Sequence, residues 1–163
     1  MPQKPHICAI WGDTGHVHIW DFACNLNALA LSETNISKDA SMVSNQTPLV
    51  KFSGHKYEGY AIVWNPLVPG MLVSGDCKNY IHLWEPSSDS TWNVGSNQYV
   101  GHTGSVEDLQ WSPTEATVFA SCSVDKTIAI WDSRTRRSPA TSIKAHNTDV
   151  NVISWNKCVS LFI

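Results

Sequence analysis

The chain has 163 residues, a net charge of −3 and only 15% charged side chains, which excludes a broadly basic nucleic-acid surface and leans weakly toward basic partners. Five cysteines, an odd number with no C-x-x-C pair, argue for a reducing compartment and against a zinc site or disulfide framework. No apolar run reaches membrane-spanning length and no secretory leader opens the sequence, so the expectation is a soluble intracellular protein with no cofactor and no membrane contact.

In chain order, residues 7–11 and 16–20 read as two strands joined by the turn Gly12-Asp13-Thr14-Gly15. They close at Trp20-Asp21, so the sequence opens inside a structural unit, at about its second strand. Residues 22–47 break the pattern: they are polar, with a small apolar patch at 26–31. They read as an irregular insertion or binding loop, with a short docked helix as the alternative. Residues 48–52 supply an outer strand. Gly54-His55 then opens a second unit, with strands over 59–64, 71–74 and 80–84, a Ser/Asp/Asn-rich loop over 86–97 and an outer strand over 98–100. Gly101-His102 opens a third. Its first strand, 106–111, ends at Ser112-Pro113, because proline cannot donate to a ladder and suits a turn. Strands over 118–122 and 127–131 flank the polar turn Ser123-Val124-Asp125-Lys126, and a basic loop over 133–137 leads to an outer strand over 140–144. Ala145-His146 opens a fourth unit, whose first strand covers 150–155. Residues 157–163 are an apolar tail that does not continue the pattern.

The spacing is regular. His55 precedes Trp84 by the same interval as His102 precedes Trp131, and Trp64, Trp111 and Trp155 follow His55, His102 and His146 at one shorter interval. A period of roughly 44 residues with Gly-His and Trp-Asp signals marks a four-stranded propeller blade. On these residues the chain resembles the WD-repeat family. The expected fold is all-β: an incomplete WD-repeat β-propeller of about three blades plus the first strand of a fourth, from a seven-bladed ring. The blades are 1–53 (partial, with the 22–47 insertion), 54–100, 101–145 and the start of a fourth at 146–156, followed by the tail at 157–163. Propellers close with about four to eight blades, so the sequence reads as part of a larger ring.

In WD-repeat proteins a histidine, a serine, a turn aspartate and the Trp of Trp-Asp can form a buried relay, which is sound physics because buried polar groups must be paired. The resemblance assigns His102, Ser121, Asp125 and Trp131 to it in the third blade. In the second it assigns His55, Ser74 and Trp84, but Lys78 stands at the aspartate position, which puts that relay in doubt. In the first, Ile10 stands where the others have serine. His16 and His18 share a strand face, yet with no third ligand nearby they read as structural rather than as a metal site.

No catalytic motif is present: no nucleophile elbow, P-loop, H-E-x-x-H or paired glycine-rich fingerprint. The residues that differ between repeats are more informative. Three and five positions after the histidines stand Glu58 and Tyr60, Ser105 and Glu107, and Asp149 and Asn151, at the entrance of each innermost strand. Radial repetition gathers these entrances at one end of the channel, giving an acidic rim of Glu58, Glu107, Asp149 and Asn151 with Tyr60 on it. Such a rim suits the Lys and Arg side chains of an extended peptide.

The segment Gly54-His55-Lys56-Tyr57-Glu58-Gly59-Tyr60, ending Trp64-Asn65-Pro66, resembles the histone-binding WD-repeat subfamily. That subfamily contains the retinoblastoma-binding chaperones and chromatin assembly factor small subunits. Val106-Glu107-Asp108 with Trp111, and Asp149-Val150-Asn151 with Trp155-Asn156, extend the likeness, which is greatest to the glutamate-rich WD-repeat proteins of ribosome biogenesis. The resemblance implies a nuclear or nucleolar scaffold that binds basic histone or ribosomal protein tails through Glu58, Tyr60 and Glu107, with Asn151 a weaker match. The N-terminal helix and the acidic tract of those relatives are not in this sequence. A rival expectation is a ubiquitin-ligase adaptor, because Asp132 and Arg134 follow Trp131 as an Asp-x-Arg motif.

Overall fold

The computed structural model describes residues 1–32, 46–87, 91–96, 98–135 and 138–156. Its strands form three antiparallel sheets, one per blade. The first contains β1 (Ile7–Trp11), β2 (Val17–Asp21) and β3 (Val50–Phe52) in that order. The second runs β4 (Ala61–Trp64), β5 (Leu72–Gly75), β6 (Ile81–Pro86) and β7 (Trp92–Val94). The third runs β8 (Val106–Trp111), β9 (Val118–Ser123), β10 (Thr127–Asp132) and β11 (Thr141–Lys144). Equivalent residues pair in equivalent register: Ser74 lies opposite His82, Ser121 opposite Ala129 and Ile10 opposite His18.

The apolar side chains are buried between blades as well as within them. One core joins Ile7, Val17 and Ile19 of the first blade to Leu72 and Trp84 of the second. The other joins Ala61, Val73, Ile81, Leu83 and Tyr99 of the second blade to Leu109, Trp111, Phe119 and Trp131 of the third. Burying each of the larger aliphatic side chains is worth about 1.5–3 kcal/mol, so cores shared between blades contribute substantially to holding the blades together. Polar ties cross the same seams. Trp11 Nε1 donates to Ala61 O (3.1 Å), Trp111 Nε1 to Val63 O (3.3 Å), and Asn65 Nδ2 to Ala116 O (2.8 Å).

Three segments differ from the sequence reading. The 22–47 insertion opens with a helix, α1 (Ala23–Ser32), whose first amide is capped by Asp21 Oδ1 (2.8 Å). Residues 33–45 of that insertion, and the 157–163 tail, lie outside the described residues. In the second blade the outer strand is β7, inside the stretch read as loop, while Tyr99 lies outside any strand and makes an isolated bridge to Ile81. Tertiary packing fixes this: Trp92 lies against Trp64 (6.2 Å between ring centres) and donates from Nε1 to Gly70 O (2.6 Å). Finally, residues 151–156 form no strand. Val150 N donates to Ser123 O (3.1 Å) and Ile153 N to Asp108 Oδ2 (3.1 Å), which ties the segment to the third blade. Among the described residues no strand lies beside it to complete a ladder, and Val152 is 75% exposed.

Candidate peptide-binding rim

The relay residues come together as a buried scaffold beneath the rim. In the third blade, Asp125 Oδ2 lies 2.9 Å from His102 Nδ1, Ser121 Oγ lies 2.6 Å from His102 Nε2, and Trp131 Nε1 donates to Ser121 Oγ (2.8 Å). A carboxylate at Nδ1 places the imidazole proton there, so the serine hydroxyl donates to Nε2 and accepts from the indole. Burial by itself would raise the Asp125 pKa. Hydrogen bonds from the Thr127 hydroxyl, the Thr103 amide and His102 outweigh it and hold the carboxyl at about 2.

The second blade closes the same relay, despite the doubt raised by Lys78. Asp76 Oδ2 lies 2.9 Å from His55 Nδ1, Ser74 Oγ 2.8 Å from His55 Nε2, and Trp84 Nε1 donates to Ser74 Oγ (2.9 Å). Asp76 stands two residues after Ser74, at the end of β5, rather than in the turn. Its second oxygen accepts the amides of Lys78 (2.9 Å) and Tyr80 (3.0 Å). In the first blade Ile10 leaves Trp20 without a serine acceptor, and among the described residues the buried Trp20 Nε1 has no hydrogen-bond partner.

Two of the rim entrances sit at one end of the blades because each lies beside the turn between its blade's second and third strands, and the Asp149–Asn151 entrance is held beside the third blade's turn by the Val150 amide, which donates to Ser123 O. Cys77 N donates to Glu58 O (2.9 Å), and Val124 N to Ser105 O (3.1 Å). The β1–β2 turn reaches the same end: a side chain on Gly15 (φ +77°) would meet Tyr57 O at 2.9 Å. Glu58 and Tyr60 are exposed, Tyr60 by 68%, and share a cleft with Trp11, Gly12 and Asp13. Gly59 lies between them because a Cβ there would stand 2.4 Å from Gly75 O and 2.7 Å from the Trp11 ring, which forms the floor of the cleft.

Glu107 is the extra residue of a β-bulge between Val106 and Asp108, and is half-buried. The bulge replaces the strand alternation from which its direction was read, and bulges commonly re-aim a side chain in this way. Asp149 and Asn151 are exposed on either side of the buried Val150. Among the described residues none of Glu58, Glu107 and Asp149 takes part in an ion pair.

At the opposite end of β10, Arg134 forks onto Asp132, with Nη2–Oδ2 2.7 Å and Nε–Oδ1 3.0 Å. The arginine's hydrogen bonds hold the Asp132 carboxyl down at about 2. His16 and His18 stack with ring centres 6.2 Å apart, and the described residues contain no group of three metal-ligating side chains. Burial lowers the His18 pKa, with Lys51 and His16 adding to the effect.

Sequence reasoning missed Asp76 and Asp13. The signal for Asp76 was local: an aspartate that opens a tight turn accepts that turn's amides. Nothing in the repeat pattern marked Asp13, which reaches the rim only through the stacking of the first blade on the second.

The family model described as WD domain, G-beta repeat, matches residues 95–132. The chain contains a WD repeat. It is 61% identical over 142 residues to Protein HEAT STRESS TOLERANT DWD 1 of Arabidopsis thaliana, covering 87% of the chain and 30% of that protein. It is 45% identical over 144 residues to Glutamate-rich WD repeat-containing protein 1 of Dictyostelium discoideum (88% and 28%). It is also 42% identical over 154 residues to Ribosome assembly protein rrb1 of Schizosaccharomyces pombe (93% and 31%). The chain therefore spans less than a third of the length of these curated relatives. Among solved structures, a chain of the Mitotic Checkpoint Complex superposes with a TM-score of 0.65 at 23% identity, covering 92% of this chain and 37% of that one, a likeness of fold alone. The WD-repeat blades are thus an incomplete propeller, similar to glutamate-rich and ribosome-assembly relatives.

Proposed function

We propose that this WD-repeat chain is a non-enzymatic scaffold that binds basic protein segments, such as histone or ribosomal protein tails, on the rim formed by Glu58, Tyr60, Glu107, Asp149 and Asn151. Chromatin assembly and ribosome biogenesis in the nucleus and nucleolus are the settings that fit. The observation that carries this reading is the set of carboxylates that have no ion-pair partner among the described residues, at one end of successive blades, with the exposed Tyr60 ring beside Glu58. A carboxylate without a cation is a ready acceptor for Lys or Arg, and the ring offers a face for the aliphatic stem. The relay histidines are buried and engaged in structural hydrogen bonds, so they are not available for chemistry on a bound partner. Likeness to a ribosome assembly protein and to a glutamate-rich WD-repeat protein supports the setting.

The test is titration of the chain with a synthetic peptide rich in lysine and arginine, comparing wild type with Glu58→Ala/Glu107→Ala. One exposed ion pair is worth only about 0.2–1 kcal/mol, so both carboxylates are removed together. A several-fold loss of affinity is expected, and unchanged affinity would overturn the assignment.

A second reading, a ubiquitin-ligase adaptor, draws on the Asp132–Arg134 corner. There a 69% exposed arginine is held in fixed orientation by a bidentate pair, and a relative bears DWD in its name. Arg134→Ala would abolish capture by a ligase adaptor while leaving peptide affinity unchanged. If both activities fell together, the separation of the two faces would be wrong.

A further inference from the structure

Lys78 occupies the turn position that Asp125 holds in the third blade. Because Asp76 supplies the relay carboxylate from the strand end, position 78 is free to carry another charge. The residue is exposed, and its ammonium sits 5.1 Å from the centre of the Tyr57 ring. Its turn is fastened to the rim, since the neighbouring Cys77 amide donates to Glu58 O (2.9 Å). Even so, neither Lys78 nor Glu58 takes part in an ion pair among the described residues.

A lysine on a flexible stem beside an open carboxylate would ordinarily spend part of its time neutralising it. An aromatic face offers the ammonium a competing seat. We propose that Tyr57 and Lys78 form a specificity device of the rim: Tyr57 holds the Lys78 ammonium away from Glu58, which keeps that carboxylate open to the cation of an incoming basic segment. The inference rests on the basic-peptide reading above and names residues that reading does not use.

The experiment measures affinity for a synthetic peptide of lysine, arginine and glycine across variants of the chain. Tyr57→Ala releases Lys78 to compete for Glu58 and weakens binding by about two- to fivefold, the scale of an exposed cation–π contact. Tyr57→Phe keeps the ring face and binds like wild type. Adding Lys78→Gln to Tyr57→Ala restores wild-type affinity, and Lys78→Gln alone binds at least as tightly as wild type. Failure of Lys78→Gln to rescue would show that Tyr57 acts by touching the peptide itself, and would overturn the proposal, as would an unchanged Tyr57→Ala. If Glu58→Ala/Glu107→Ala weakens the peptide while Tyr57→Ala does not, this inference fails and the rim stands. If the wild type does not bind the peptide, both fall. All the substituted side chains are solvent-exposed or half-buried rim residues, and an unchanged unfolding midpoint confirms that each variant is folded.

Discussion

The second and third blades build the same hydrogen-bonded relay with carboxylates drawn from different places. In the third blade the work is divided. Ser123 Oγ accepts the Asp125 amide (3.1 Å), while Asp125 serves His102, Thr103 and Thr127 from the turn. In the second blade Asp76 stands where Ser123 stands and does both jobs, reaching His55 with one oxygen and the turn amides with the other. What the fold requires is a carboxylate oxygen at one point in space, and the backbone offers two positions from which to deliver it. The consequences differ, because Asp76 is almost fully buried and carries both the histidine and the turn amides itself, whereas Asp125 is 8% exposed at the side chain and is backed by Ser123 and by Thr127 Oγ1, 3.1 Å from His102 Nδ1.

Removing the carboxylates tests the contrast most strongly. Asp76→Ala strands an imidazole nitrogen and two turn amides in a buried site and should cost about 3–5 kcal/mol. Asp125→Ala should cost less, about 2–3 kcal/mol, because Ser123 and Thr127 remain. Urea midpoints of the two variants check this, and equal losses would mean that the backing groups contribute nothing. The tryptophans give the next largest effect. Trp84→Phe and Trp131→Phe each remove the donor to a buried serine and some core volume, for a loss of about 1–3 kcal/mol. Trp20→Phe should cost under about 1 kcal/mol, because the indole Nε1 it removes has no partner among the described residues. A large loss at Trp20, measured in the same way, would show that the first blade holds a relay after all.

The contrast extends to acid. The Asp125 carboxyl has a pKa of about 2 in the folded chain, below its ordinary value of 3.8. Its contribution to stability is therefore fully present above about pH 4 and is lost as pH falls toward 2. Asp125→Asn, less stable near neutrality, should lose less than wild type over that window, so the two urea midpoints should approach each other as pH falls from 4 to 2. Parallel curves would assign the acid sensitivity to other carboxyls.

The comparison also shows what could be read in advance. The repeat interval and the paired Trp positions were visible because each blade buries the same alternating face, and that pattern is written residue by residue. Strand ends shifted by a residue or two, as for β4, which starts at Ala61 rather than Gly59. The rim residues were legible as departures from the repeat, since no blade needs Glu58 or Glu107 for its own packing. Asp76 as the relay carboxylate, as distinct from its place at a turn, and β7 were not legible. A fixed-offset reading of the relay cannot recognise a carboxylate arriving from two residues earlier, and the short β7 is selected by Trp92 packing on Trp64 and reaching Gly70.

The sequence by itself determined the blade, because strand alternation, the Gly-His opening and the Trp closing are local constraints of burial and hydrogen bonding that any stacked copy must meet. Only the tertiary structure decided which carboxylate feeds each histidine, where the outer strand of the second blade lies, and that the Lys78 ammonium rests on Tyr57. These depend on distances between residues far apart in the chain, which are set when one blade stacks on the next. Lys78, which in the sequence looked like a missing relay residue, is in the structure a cation placed at the rim.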